Sequence, residues 1–233
     1  MKGIINNMNK KRIFWAADST VATNYIDSYP QTGIGQVIKL YLKEEIEIHN
    51  FAKNGRSTKS FINEGILSEI EKELSKDDFF FIQFGHNDEK EDEARSTQPF
   101  STYQEYLSKY VEVARKAGAH PVLITSLYRR KFLPDGNIKD NVHFDYPDAM
   151  KKLGEKLNVP IIDLCEMSKS LLEVTGDEES KKWFMHLKKG EYASHIDGLQ
   201  DDTHLKHEGA VKMAGLVVEG LKELGGIYMD LIQ

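Results

Sequence analysis

Short apolar runs alternate along the chain with longer segments whose apolar residues recur every three or four positions. The short runs are typical of β-strands and the longer segments of amphipathic helices. The predicted strands are 11–15, 45–50, 79–82, 121–127 and 160–164. The predicted helices are 35–42, 61–74, 103–117, 147–157, 168–174, 180–187 and 207–224.

Five strands interleaved with helices indicate an α/β fold with a parallel sheet. Right-handed crossovers then place helices on both faces of that sheet. A length of 233 residues suits one large domain or at most two small ones, and the chain has no repeat, low-complexity segment or linker. We therefore expect a single domain over residues 1–233. Two polar loops, 89–102 and 129–146, follow predicted strands and are candidates for the rim of a ligand site.

The net charge of −6 argues against a nucleic-acid-binding surface. The longest basic clusters, 128–131 and 186–189, are short, and we interpret them as solvated loops.

Cys165 is the only cysteine, so no intramolecular disulfide is possible and a reducing compartment is permitted. Residues 1–15 contain no apolar stretch of signal-peptide length, and no run approaches the ~18 apolar residues that a membrane span requires. The sequence therefore predicts a soluble cytoplasmic protein without a membrane partner. It leaves the oligomeric state open.

Four polar segments fall at predicted strand ends or at the entry to the last helix. They are Asp18-Ser19, 54–57, 85–88 and 201–204. The carboxyl ends of parallel strands meet at one edge of a sheet, so the first three segments should converge there. The fourth reaches the same edge if the last helix packs back against the first strand.

These segments contain the groups that acyl transfer needs. A serine hydroxyl such as that of Ser19 is a weak nucleophile and needs a base, which His204 supplies near neutral pH. Asp201, three residues earlier on what we predict to be a loop, is close enough to orient the imidazole. The backbone N–H groups of Ser19 and Gly55 and the amide of Asn87 are donors for a developing oxyanion.

Each of these residues also has an ordinary structural interpretation. Ser19 is a favoured helix N-cap, with or without a catalytic role. Gly55 and Asn87-Asp88 are typical turn or cap residues, and His204 alone is more often a surface histidine. Their occurrence together and in this order favours acyl transfer.

The order and the amino-acid sequences of these segments resemble those of the SGNH/GDSL hydrolases. Within that group they are most similar to the rhamnogalacturonan acetylesterase group of carbohydrate O-acetylesterases. The matching pieces are "ADSTVA" (17–22), "YPQTGIGQ" (29–36), "NFAKNGRSTKSF" (50–61), "IQFGHNDEK" (82–90), "SKKWFMHLKKGEY" (180–192) and "DDTHLKHEGA" (201–210).

This resemblance implies a three-layer α/β/α sandwich close to flavodoxin, with the site at the strand carboxyl ends. It implies Ser19 as the nucleophile, His204 as the base and Asp201, rather than Asp202, as its orienter. The N–H groups of Ser19 and Gly55 and the side chain of Asn87 would form the oxyanion hole. No metal or organic cofactor is implied.

Two positions depart from the family pattern. Ala17 stands where glycine is usual, and it would strain the site if that position needs a positive φ. Ile34 stands where the family often has tryptophan, which puts sugar stacking at that point in doubt.

Several neighbouring residues have weaker signals. We expect His86 to support or pack against the site rather than act as a base, and Arg56 to anchor its loop rather than meet an acidic sugar. Trp183, Phe184 and Tyr192 are candidates for a sugar-binding rim. For Trp183 and Phe184, a position in the core is at least as good an interpretation. Cys165 is expected to be a buried small hydrophobe.

The sequence thus predicts a serine esterase that removes acetyl groups, through an acetyl-enzyme, from an oligosaccharide derived from pectin, xylan or another glycan. Two alternatives remain open at this stage. One is a lipase- or thioesterase-like enzyme acting on other acyl groups. The other is a catalytically inactive carbohydrate-binding homologue, for which Ala17 is the only support.

Overall fold

Five parallel strands form the central sheet of the protein. The computed structural model describes residues 10–233. The prediction that residues 1–15 contain no signal peptide therefore falls partly outside the described range, at residues 1–9. The sheet has the strand order β2-β1-β3-β4-β5, which is the flavodoxin-like order. Its strands are β1 (Arg12–Ala17), β2 (Glu47–Asn50), β3 (Phe79–Gln83), β4 (His120–Ile124) and β5 (Ile161–Ile162).

Helices connect the strands and cover both faces of the sheet. They are α1 (Ile34–Val37), α2 (Thr58–Asn63), α3 (Ile66–Glu73), α4 (Gln104–Ala117), α5 (Tyr146–Leu157), α6 (Leu164–Thr175), α7 (Asp177–Ser180) and α8 (His207–Leu224). Short 3₁₀ turns continue α1 over Ile38–Tyr41 and α7 over Lys181–Trp183.

The side chains of β3 alternate between two separate hydrophobic clusters. Phe79 and Phe81 pack with residues of α1, α6 and α8, whereas Phe80 and Ile82 pack with residues of α2 to α5. Since successive side chains of a strand point to opposite faces, the sheet is the middle of three layers. The predicted α/β/α sandwich and the doubly buried strand are confirmed.

Several predicted elements have different boundaries in the structure, and two of them differ most clearly. The segment 61–74 is two helices rather than one, because Gly65 takes a left-handed φ of 80° between α2 and α3. The strand predicted over 160–164 has only two residues. It is short because α6 already begins at Leu164, where the side chain of Asp163 caps the helix by accepting from the N–H of Glu166 at 3.3 Å.

The helix predicted over 180–187 is wrong. Residues Phe184–Leu187 form strand β6, which pairs antiparallel with β7 (Leu199–Leu205) in a hairpin outside the central sheet. A short apolar run such as Phe184-Met185 fits a buried helix or a strand equally well, and only its partner decides between them. That partner, "LQDDTHL", is too polar to show a strand pattern.

The basic cluster 128–131 is not the solvated loop that its composition indicates. Tyr128 and Arg130 are buried, and only Lys131 is fully exposed. In the other cluster, Lys188 and Lys189 are exposed as expected. Across residues 10–233, no helix combines the length and apolar character needed to cross a membrane.

Candidate active site

Ser19 lies in a tight turn directly after β1. The carbonyl oxygen of Asp18 accepts from the N–H groups of Val21 and Ala22 at 3.2 and 3.1 Å, which closes the turn. The carboxylate of Asp18 accepts from the N–H and the hydroxyl of Thr20 at 2.9 and 2.8 Å. Ser19 is only 8% exposed, yet its side chain lines the main cleft.

No helix begins at Ser19. The chain leaves the turn in irregular structure and next forms a helical turn at Ile26–Ser28. The interpretation of Ser19 as a helix N-cap is therefore wrong.

His204 connects Ser19 with Asp201. Its Nε2 lies 2.9 Å from the Oγ of Ser19, and its Nδ1 lies 2.6 Å from an Oδ of Asp201. This is the order of contacts in a serine nucleophile, a base and an orienting carboxylate. Asp202 instead contacts His186 and Arg130, so the geometry selects Asp201 for this position.

A bulge in β7 makes the Asp201–His204 contact possible. In the hairpin, Met185 pairs with Asp201 and Phe184 pairs with Leu205, so residues 202–204 have no counterpart in β6. In a regular strand, residues three positions apart point to opposite faces. Because of the bulge, the side chains of Asp201 and His204 can meet on one side of the strand. The loop predicted at 201–204 is therefore part of an irregular strand.

The carboxylate of Asp201 is held in its charged form. Burial raises its pKa, but hydrogen bonding and attraction from His204 outweigh burial and lower the pKa to about 2. The backbone N–H groups of Thr203 and His204 also donate to it, at 2.7 and 2.9 Å. Asp201 is therefore ionised at neutral pH and able to stabilise an imidazolium.

Gly55 and Asn87 face the same cleft as Ser19. Gly55 has a φ of 79°, which favours glycine. Asn87 donates from Nδ2 to the carbonyl oxygen of Arg56 at 3.1 Å, which leaves its second amide hydrogen for a ligand. Within residues 10–233, the backbone N–H groups of Ser19 and Gly55 donate to no protein acceptor.

Asp88 connects the loop after β2, which carries Gly55, with the loop after β3, which carries Asn87. It is fully buried and accepts from the N–H of Thr58 at 3.1 Å, from the Thr58 hydroxyl and from the Thr97 hydroxyl at 3.2 Å. Burial raises its pKa to about 7, although these hydrogen bonds act against the rise. Helix α2 begins just there, where Ser57 and Ser60 form a reciprocal capping box.

The cleft around Ser19 has a volume of about 520 Å³, and its described lining residues are polar or charged apart from Gly55. Its charged lining residues outside the Ser19–His204–Asp201 group are Lys90, Arg95 and Arg129. Arg95 pairs with Asp92 and Arg129 with Glu89, whereas within the described residues Lys90 has no carboxylate partner. The remaining lining residues are Gln31, Asn54, Gly55, His86, Asn87 and Thr203.

Comparisons with known proteins agree with this geometry. Residues 18–217 match the family described as GDSL-like Lipase/Acylhydrolase. The chain belongs to this family.

Two relatives from Bacillus subtilis (strain 168) resemble this GDSL-family chain over most of its length. Rhamnogalacturonan acetylesterase RhgT is 43% identical over 214 residues, which cover 92% of this chain and 90% of RhgT. The probable rhamnogalacturonan acetylesterase YesY is 41% identical, covering 91% of this chain and 93% of YesY. The crystal structure of B. subtilis YxiM superposes with a TM-score of 0.79 at 26% identity, covering 94% of this chain and 58% of that one.

The two departures from the GDSL pattern have a simple outcome in the structure. Ala17 is the last residue of β1 and is not among the residues with positive φ, so it is accommodated without backbone strain. Ile34 is the first residue of α1, where it is fully buried in the core, and it is not among the residues that line the cleft.

Most of the weaker candidates have structural contacts. His86 donates from Nδ1 to the carboxylate of Asp18 at 3.2 Å, and Arg56 donates to Glu64 and to the carbonyl oxygen of Asn54 at 2.9 and 2.8 Å. Both placements agree with the supporting and anchoring roles expected for them.

The other candidates separate into core and surface. Trp183 and Phe184 are buried in the core. Tyr192 is half-buried and lies edge-on to Tyr29, outside the cleft lining. Cys165 is buried, and burial raises the pKa of its thiol to about 12. Sequence reasoning overlooked Arg129, because its cluster looks like a solvated loop.

Proposed function

We propose that this GDSL-family protein is a serine esterase that removes O-acetyl groups from a carbohydrate. The observation that carries the proposal is the pair of contacts made by His204, at 2.9 Å to Ser19 and 2.6 Å to Asp201, at the wall of an open cleft. The high identity to RhgT, which is named as a rhamnogalacturonan acetylesterase, supports the same reaction.

In the proposed reaction, Nε2 of His204 accepts the hydroxyl proton of Ser19 as Oγ attacks the acetyl carbonyl carbon. The N–H groups of Ser19 and Gly55 and the Asn87 amide donate to the oxyanion. His204 then gives its proton to the sugar oxygen, which leaves as a hydroxyl. A water molecule, deprotonated by His204, hydrolyses the acetyl-enzyme to acetate and restores Ser19.

We propose an acidic oligosaccharide as the substrate class. RhgT and YesY are both named for rhamnogalacturonan, whose galacturonate units carry carboxylates. Lys90, Arg95 and Arg129 line the cleft, and although Arg95 and Arg129 are paired with Asp92 and Glu89, Lys90 has no carboxylate partner among the described residues and is available to a substrate carboxylate. We therefore propose acetylated oligosaccharides of pectic type rather than neutral acetylated xylan fragments.

The polar lining disfavours long acyl chains. Sites for large apolar ligands are lined mostly by hydrophobic and aromatic side chains. Among the described lining residues of this cleft there is no aliphatic, Phe, Tyr or Trp side chain. A lipase-like activity is therefore not part of the proposal, and Ala17 no longer supports an inactive homologue.

Hydrolysis of p-nitrophenyl acetate and p-nitrophenyl octanoate tests the reaction. We expect turnover of the acetate, little of the octanoate, and a loss of several orders of magnitude in Ser19→Ala. Ser170→Ala, at an exposed position on α6, is the matched control. Full activity in Ser19→Ala would refute the mechanism.

The substrate class has a separate test. Acetate release from acetylated rhamnogalacturonan oligosaccharides should exceed release from acetylated xylo-oligosaccharides, and the preference should shrink as salt screens the cations of the cleft. Equal rates on both substrates at low salt would refute the acidic-substrate proposal.

We further propose that the chain acts as a single hydrolase domain in the cytoplasm, on imported oligosaccharides. A single cysteine, Cys165, is compatible with a reducing compartment. Cell fractionation with an antibody to the protein would test the location, and recovery in the culture medium would contradict it.

A further inference from the structure

Arg130 is a buried cation whose three side-chain nitrogens each have a hydrogen-bond partner. It is 3% exposed. Its Nη1 donates to Asp202 at 2.8 Å, its Nη2 to the carbonyl oxygen and carboxylate of Asp177, and its Nε to the Ser180 hydroxyl at 3.0 Å. A planar guanidinium can satisfy several acceptors in fixed directions, and a buried charge requires such compensation.

Asp202 is the first of the three bulge residues in β7. Arg130 holds it twice, since the backbone N–H of Arg130 also donates to the carbonyl oxygen of Asp202 at 2.8 Å. His186 adds a contact from Nε2 to the same carboxylate at 2.7 Å. Residues 202–204 have no pairing partners in β6. The contacts of Arg130 and His186 with Asp202 therefore hold the bulge where strand pairing does not.

Asp201 holds the other two bulge residues, because its carboxylate accepts from the backbone N–H groups of Thr203 and His204. Together, Asp201 and Arg130 fix the conformation that brings His204 within 2.9 Å of Ser19. A catalytic group displaced by about 1 Å can lower the rate by about 10²-fold. The geometry of the bulge is therefore a requirement of the reaction.

We propose that Arg130 is a positioning residue for His204, acting through Asp202. This inference rests on the proposed function. Arg130 is not among the residues that line the cleft, whereas its chain neighbour Arg129 lines it and pairs with Glu89. Since Arg130 touches the bulge and not the substrate, its removal should change kcat and leave KM nearly unchanged.

A double-mutant cycle on p-nitrophenyl acetate hydrolysis tests this coupling. Arg130→Met and Asp202→Ala should each lower kcat by about 10- to 100-fold with KM within about threefold, and the double variant should lose no more than the worse single variant. Arg130→Lys should recover part of kcat, because an ammonium can still pair with Asp202. Lys181→Met, which removes an exposed ion pair with Glu178 beside α7, should keep wild-type kcat.

Two results would overturn the proposal. One is unchanged kcat in Asp202→Ala, which remains decisive even if Arg130→Met fails to fold. The other is a double variant whose loss equals the product of the two single losses, since this would mean that the residues act independently.

Proton NMR supplies a measurement that does not need turnover. The Nδ1 proton shared between His204 and Asp201 should give a downfield resonance, which Asp201→Asn would remove. We expect folded Arg130→Met to shift or broaden this resonance and Lys181→Met to leave it unchanged. An unchanged resonance in Arg130→Met would contradict the proposal, whereas a wild type without esterase activity would contradict the proposed function alone.

Discussion

His204 lies 2.9 Å from Ser19, although 185 positions separate the two residues in the chain. The end of β7 is held against the segment that follows Ser19, because the N–H of Thr32 donates to the carbonyl oxygen of Leu205 at 2.8 Å. Helix α8 then packs on α1 in the same layer. The β6–β7 hairpin is thus held against the segment that follows β1 and contains Ser19. This places His204 next to Ser19.

Replacing Asp201 with asparagine should reduce kcat strongly. Asn would leave the shape of the site intact but would present an amide to Nδ1 of His204 and favour the wrong imidazole tautomer. We expect kcat for p-nitrophenyl acetate to fall by about 10³- to 10⁴-fold in Asp201→Asn. Asp197→Asn, at an exposed position in the same hairpin, should behave as wild type.

The pH profile of the wild type gives a second check on the same carboxylate. The pKa of Asp201 is lowered to about 2, so the group stays ionised through an assay range of about pH 4 to 9. Asp201 should therefore add no ionisation of its own to the acid limb of kcat/KM. A second acid ionisation within this range, removed by Asp201→Asn, would contradict this assignment.

Asp88 should make the fold less stable as pH rises. Burial raises its pKa to about 7, above the ordinary value of ~3.9, so the folded state binds this proton more tightly than the unfolded chain. The free energy of unfolding should then decrease between about pH 4 and pH 7, by up to roughly 4 kcal/mol from this group.

Asp88→Asn removes this ionisation and should flatten that part of the pH dependence. Urea unfolding of both proteins at several pH values measures the difference, with exposed Asp27→Asn as the control. A wild-type-minus-variant difference that stays constant from pH 4 to pH 8 would mean that Asp88 ionises normally.

The oxyanion side of the site could be predicted from sequence because it follows parallel strands. Ser19, Gly55 and Asn87 come shortly after β1, β2 and β3, and these strands are neighbours whose carboxyl ends meet at one edge. The apolar runs of β1 and β3 are buried on both faces, which makes them easy to recognise, whereas β2 is a half-buried edge strand that shows itself by its alternating pattern. The catalytic roles of these residues remain predictions.

The hairpin and its bulge could not be predicted in the same way. The polar sequence of β7 shows no alternation, and the contact between Asp201 and His204 depends on three residues without a partner in β6. Arg130 looks solvated in sequence because its partners Asp177 and Asp202 lie 47 and 72 positions away. Only tertiary structure shows that its charge is compensated.

Ala17→Gly should restore the usual family residue without improving catalysis. Ala17 is fully buried at the end of β1 and has no positive φ, so glycine relieves no strain. We expect kcat within about twofold of wild type. Glycine also removes a buried methyl group and loosens the strand, so urea unfolding should show a loss of about 1–2 kcal/mol. A tenfold increase in kcat would mean that Ala17 impairs the site.

Asn87 and Gly55 should respond differently to replacement by alanine. In Asn87→Ala the side-chain donor to the oxyanion is lost, and we expect kcat to fall by about 10²- to 10³-fold with little change in KM. Gly55→Ala keeps its backbone N–H, and the new Cβ would have no atom within 4 Å, so only its φ of 79° is unfavourable. That strain is about 1–2 kcal/mol, and kcat should stay within about tenfold of wild type. If Asn87→Ala raised KM and left kcat unchanged, Asn87 would bind the ground state rather than the oxyanion, because a transition-state donor acts on kcat.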